Sequence, residues 1–76
     1  MKIEILGSGC AKCKKLYENT EHAIKSANVI AEITKVEDME KIIGYGVMST
    51  PAIVIDGVVK SAGKVLNIDE IQKLLK

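Results

Sequence analysis

The hydrophobic period changes once near the N-terminus, and that change limits what the rest of the chain can become. From Met1 to Gly7 the residues (Met-Lys-Ile-Glu-Ile-Leu-Gly) largely alternate between polar and apolar, the two-residue period of a strand. Gly7-Ser8-Gly9 then reads as a flexible turn. Beyond it Cys13, Leu16, Tyr17, Thr20, Ala23, Ile24 and Ala27 recur at spacings of three and four. Lys14, Lys15, Glu18, Glu21 and Lys25 fall elsewhere, so the segment from Cys10 to Ala27 predicts an amphipathic helix of about five turns. Asn28 is a plausible stop. A second strand is expected within Val29 to Val36, with Ile33 as its buried position. Strand, helix and strand in that order require a right-handed helical crossover between parallel strands.

The remaining half adds a hairpin and two helices. Asp38 can cap a short helix through Ile43 that ends near Gly44-Tyr45-Gly46. Ala52-Ile53-Val54-Ile55 and Val58-Val59-Lys60-Ser61-Ala62 flank Asp56-Gly57, a type I′ hairpin signature because both turn positions need positive φ. Asn67, with Glu70 three positions on, opens a last helix whose buried face is Ile68, Ile71, Leu74 and Leu75. Lys73 and Lys76 suit its negative C-terminal end. The expected order is β-α-β-α-β-β-α: a compact α/β fold with a four-stranded mixed sheet and helices on both faces. Residues 1–76 leave room for one domain.

Composition excludes several function classes. Apolar residues make up 47 % of the chain and the only aromatic residues are Tyr17 and Tyr45, so the core must be aliphatic. With 11 basic against 10 acidic residues, no basic tract and no stacking aromatics, nucleic acid is not an expected partner. No apolar run is long enough for a signal peptide or a membrane helix. The expected setting is cytoplasmic and reducing, where a disulfide is more often transient than structural.

Chemistry concentrates in Cys10-Ala11-Lys12-Cys13, which holds both cysteines of the chain. A thiol at a helix N-terminus faces unpaired backbone N–H groups and the positive end of the helix dipole, and both favour the reactive thiolate. Residues three apart on a helix lie within the roughly 4.4–6.8 Å Cα separation that a disulfide tolerates. Cys13 starts the apolar stripe and should be the less exposed thiol. Lys12, Lys14 and Lys15 crowd the same helix start; they oppose the dipole but favour a thiolate, and Lys12 is the candidate for tuning Cys10. His22 lies nine helical residues beyond Cys13, roughly 13 Å along the axis, too far to share a metal with the cysteines. It reads as a surface residue. Tyr17 reads as a residue of the core edge.

The element order, the cysteine pair at the first helix and Thr50-Pro51 before the third strand together resemble the thioredoxin fold. More closely, the chain resembles the small prokaryotic thioredoxin-like redox-active disulfide proteins, which are similar to a glutaredoxin in size. The matching pieces are Gly9-Cys10-Ala11-Lys12-Cys13, Ser49-Thr50-Pro51-Ala52, Val54-Ile55-Asp56-Gly57 and Gly63. The resemblance implies a thiol–disulfide oxidoreductase in which Cys10 is the nucleophile and Cys13 resolves the mixed disulfide. It implies a cis Pro51 beside the cysteines, with Thr50-Pro51 forming the wall on which substrate docks. No cofactor beyond the Cys10–Cys13 disulfide is expected. The expected partners are a disulfide-containing protein and an outside reductase, and the expected state is a monomer. No tryptophan precedes the motif, and neither Gly-Pro nor Pro-Tyr fills it. Thioredoxins also carry a buried acid behind the disulfide; Glu4 and Glu32 lie near predicted strands but read as solvent-facing positions. The alternative is a soft-metal carrier for Cu(I) or zinc using the same two thiols. Such carriers have a β-α-β-β-α-β order, which differs from the order read here.

Overall fold

The computed structural model describes residues 1–7, 9 and 11–75. Its elements are β1 (Lys2–Leu6), α1 (Ala11–Ala27), β2 (Glu32–Val36), α2 (Met39–Gly44), β3 (Ala52–Ile55), β4 (Val58–Ala62) and α3 (Ile68–Leu74). They form one four-stranded sheet in the order β2-β1-β3-β4. β1 runs parallel to β2 and antiparallel to β3, and β3 runs antiparallel to β4. This is the expected α/β architecture with a mixed sheet.

The strand period sorts the core into two layers. On one face Ile3 and Ile5 of β1 and Ile53 and Ile55 of β3 meet Leu16 and Ala23 of α1, with Leu66, Ile71 and Leu75 closing the layer. On the other face Leu6, Val36, Ala52 and Val54 meet Ile42 and Val47 around α2. β3 is buried throughout because it is central and covered on both sides. The Asn19 side chain donates to the Leu66 carbonyl at 2.9 Å and ties α1 to the approach to α3.

Local signals account for the ends of the elements. Asn28 has φ 56°, its N–H donates to the Lys25 carbonyl, and the Val29 N–H donates to the Ile24 carbonyl, closing α1 with a left-handed cap. The Asp38 carboxylate accepts from the Glu40 N–H at 3.0 Å. Asn67 and Glu70 form a reciprocal capping box. Asp56 (φ 49°) and Gly57 (φ 84°) make the hairpin turn. The main chains of Lys2 and Asp56 bond at 2.8 Å, and the Asp56 carboxylate accepts from the Lys2 N–H at 2.9 Å.

Three local expectations change. Ile33 is only half-buried, and Val36 is the buried residue of β2, because β2 is an edge strand. Ala27 is exposed. Seventeen helical residues span about 25 Å against about 17 Å for a five-residue strand, so α1 outruns the sheet. The β3–β4 ladder carries an irregularity at Ile53/Val54, which pair with Ser61 and Val59, so Lys60 is the extra residue.

Candidate functional site

The site lies where β1 and β2 end together and α1 begins. Cys13 is in the first turn of α1, with no acidic residue in that turn, and is 6 % exposed. A Cβ placed on Gly7 would collide with the Cys13 Sγ and would also lie 3.9 Å from the Thr50 Cβ. Gly7 is therefore required by steric access: its missing side chain lets the buried thiol approach β1 and the Thr50–Pro51 loop approach both. The Thr50–Pro51 peptide bond is cis, and Pro51 is buried. The Gly63 N–H donates to the Pro51 carbonyl at 2.9 Å, anchoring this loop to the end of β4. Gly63 has φ 75°, and a side chain there would press on Ser49.

The structure thus brings Cys13, Thr50 and Pro51 to one place. Cys10 lies outside the described residues, and its pairing with Cys13 lies outside them too. Lys12 is exposed at the start of α1, as are Lys14 and Lys15. His22 is exposed, and Tyr17 is half-buried at the edge of the core. Among the described residues no three His, Cys, Asp or Glu side chains gather as a metal site. No helix among them is long and apolar enough to cross a membrane.

The acidic groups fall differently from expectation. Glu32 is exposed, but Glu4 is half-buried and accepts a hydrogen bond from the Tyr45 hydroxyl at 2.9 Å. That bond to a carboxylate raises the Tyr45 phenol above its ordinary value, helped by burial and by the charge of Glu4. By strand alternation Glu4 shares the α2 face with Leu6, not the face carrying Cys13. The carboxylate near the thiol is instead Glu37, which the sequence reading missed. Its oxygens and Cδ come within 3.7–3.9 Å of where a Gly9 side chain would start, and Glu37 and Cys13 line one crevice. The signal was present in the parallel pairing: the Gly7 N–H donates to the Val36 carbonyl, so the residue after β2 must lie beside the β1–α1 turn.

A second feature borders the loop. Met39, Ile42, Ile43, Val47, Met48 and Thr50 line a cleft of about 280 Å³. Met48 is 97 % exposed and Ile43 65 %.

A parallel β-α-β unit, an antiparallel hairpin, and a buried first-turn cysteine beside a cis-proline loop define the thioredoxin-fold class. The whole chain, residues 1–76, matches the thioredoxin domain family model. It is 39 % identical over 75 residues to a thioredoxin of Methanothermobacter thermautotrophicus, covering 99 % of this chain and 97 % of that one. It is also 39 % identical over 74 residues to a thioredoxin of Methanocaldococcus jannaschii, covering 97 % and 85 %. The chain belongs to the thioredoxin domain family. At the coarse level this is a thiol–disulfide oxidoreductase family.

Proposed function

We propose that this chain exchanges a Cys10–Cys13 dithiol with disulfides of protein substrates. The observation that carries the reading is the convergence of a nearly buried Cys13, at the positive end of α1, with the Thr50–Pro51 loop. The Cys10 thiolate attacks one sulfur of a substrate disulfide. A Cys10–substrate bond forms, and the other substrate sulfur leaves as a thiolate that takes up a proton. The Cys13 thiolate then attacks the Cys10 sulfur, forming the Cys10–Cys13 disulfide and releasing the second substrate thiol. Two electrons pass to the substrate, and an outside dithiol reductase returns them. A shielded Cys13 suits the second step, since it meets Cys10 before it meets other disulfides.

Thr50 and Pro51 form the docking wall, and the apolar cleft that Thr50 borders receives side chains flanking the substrate cysteine. No cofactor enters the scheme beyond the cysteine pair. Lys12, beside both thiols in sequence, favours the Cys10 thiolate. A monomer in the cytoplasm is the working state.

The test is a redox titration in graded dithiothreitol buffers, read by thiol alkylation and intact mass. A reversible transition with loss of two hydrogens is expected. Cys10→Ser should abolish reduction of a protein disulfide, and Cys13→Ser should trap substrate as a mixed disulfide. Turnover that survives Cys10→Ser would overturn the assignment.

A further inference from the structure

On the α1 face of the sheet a charged residue interrupts the apolar pattern. Lys35 is the register partner of Ile5 and therefore points to the same face. Its neighbours there, Ile3, Ile5 and Ile33, belong to or pack on the aliphatic layer. A lysine at this position covers apolar surface with its stem and must bring its ammonium out at the edge. The ammonium has a defined place: Nζ stands 4.8 Å from the centroid of the Tyr17 ring. Tyr17 is four residues after Cys13 on α1, so the ring lies one turn below the thiol on the same side of the helix. Lys35, Cys13 and Glu37 line one narrow crevice of about 10 Å³, room for about one water molecule.

We infer that Lys35, held by the Tyr17 ring, is a positioning residue that keeps a positive charge beside Cys13 and so promotes its thiolate, with Glu37 as the opposing charge. The inference rests on the proposed role of Cys13 as the resolving thiol. Resolution requires Cys13 to lose its proton while shielded from solvent, and shielding alone penalises the anion. A cation facing the same crevice offsets that penalty. Among the described residues, the charged and titratable groups around the Cys13 crevice are Lys14 from α1, Lys35 from β2, Glu37 from the segment after β2 and, a turn away, the Tyr17 phenol. Thr50, from the loop before β3, is uncharged. Lys14 and Lys35 are both exposed, but the Lys35 ammonium is placed over the Tyr17 ring, and a charge so held loses less to side-chain entropy.

The test uses the full chain carrying Cys10→Ser, in which Cys13 is the one thiol, and reads its alkylation by iodoacetamide against pH. Lys35→Met, which keeps the stem and removes the charge, should slow alkylation near neutral pH by about two- to fivefold and move the midpoint to higher pH. Glu37→Gln should move it the other way. Lys35→Arg should restore the original midpoint, and Tyr17→Leu should shift it as Lys35→Met does, because the ammonium is released. Circular dichroism establishes that each variant is folded. An unmoved midpoint in folded Lys35→Met would overturn the inference and leave Lys35 as packing only. These readouts involve no disulfide, so they stand apart from the redox titration: a failed titration with a shifted midpoint rejects the oxidoreductase reading alone.

Discussion

The two faces of the sheet are built to different standards. On the α1 face a seventeen-residue helix and α3 close nine buried residues into one aliphatic layer. On the other face a six-residue helix covers six buried residues. It leaves Glu4 in a polar pairing with Tyr45 and leaves Met39, Ile43 and Met48 in solvent. Both faces use the same strands, so the difference lies in the helices. A long helix can bury a full stripe, whereas six residues can bury one side chain, Ile42, and expose the rest. Stability is concentrated on the first face. The second keeps apolar side chains in solvent, and the cysteine sits at the end of the first, beside the Thr50–Pro51 loop.

Leu16→Ala should have the largest effect, about 2–5 kcal/mol by urea unfolding, because Leu16 is fully buried in the larger layer. Ile42→Ala should fall at the low end of that range, near ~2 kcal/mol. Equal losses would erase the distinction between the faces. Next comes Gly7→Ala. The new methyl meets the Cys13 sulfur and should cost roughly 1–3 kcal/mol through overpacking, with a change in Cys13 alkylation rate that no substitution at a distant glycine produces. A neutral Gly7→Ala would show that the close approach at the site is dispensable.

A smaller effect tests the polar side of the α2 face. Tyr45→Phe removes the bond to Glu4 and should lower Tm slightly at neutral pH. Because the folded phenol sits above its ordinary value, its contribution is complete below about pH 10 and is lost as pH rises through the folded value. Wild type and Tyr45→Phe should therefore converge in Tm at strongly alkaline pH, and a gap that widens instead would reverse the sign. Smallest in stability is Met48→Gln, expected within about 0.5 kcal/mol of wild type since Met48 packs on almost nothing. It should raise KM for a protein disulfide while leaving a small-molecule disulfide unaffected; equal kinetics on both would remove the cleft from the docking surface.

Much of the fold was legible because its signals are local. Asp56-Gly57, the Asn67–Glu70 box, the Asp38 cap and the Asn28 stop each report the conformation of their own few residues. The misjudged positions depend on neighbours far along the chain. Ile33 has a strand's apolar signature, but its burial is decided by β2 lying at the edge. Glu37 carries no motif, and only the shared end of β1 and β2 brings it to Cys13. Gly7 reads as one of several turn glycines until Cys13 and Thr50 arrive from either side. Cys13, Thr50 and Pro51 were legible as a site through family resemblance, since nothing in local spacing places residue 50 beside residue 13.

β1 occupies an inner place in the sheet although it precedes the other three strands in the chain. Its partners are β2 on one side and β3 on the other, Ile3 lying between Ile33 and Ile55, and its first residue is bonded to Asp56 in the hairpin turn. A chain emerging from the ribosome therefore holds β1 with one edge unmatched until β3, Ala52–Ile55, has also been made. The β-α-β unit cannot by itself close the layer beneath α1, which needs Ile53 and Ile55 of the hairpin. Assembly of this domain is completed by its C-terminal third, and a nascent chain stalled before Asp56 presents the β1 edge to whatever other strand it meets.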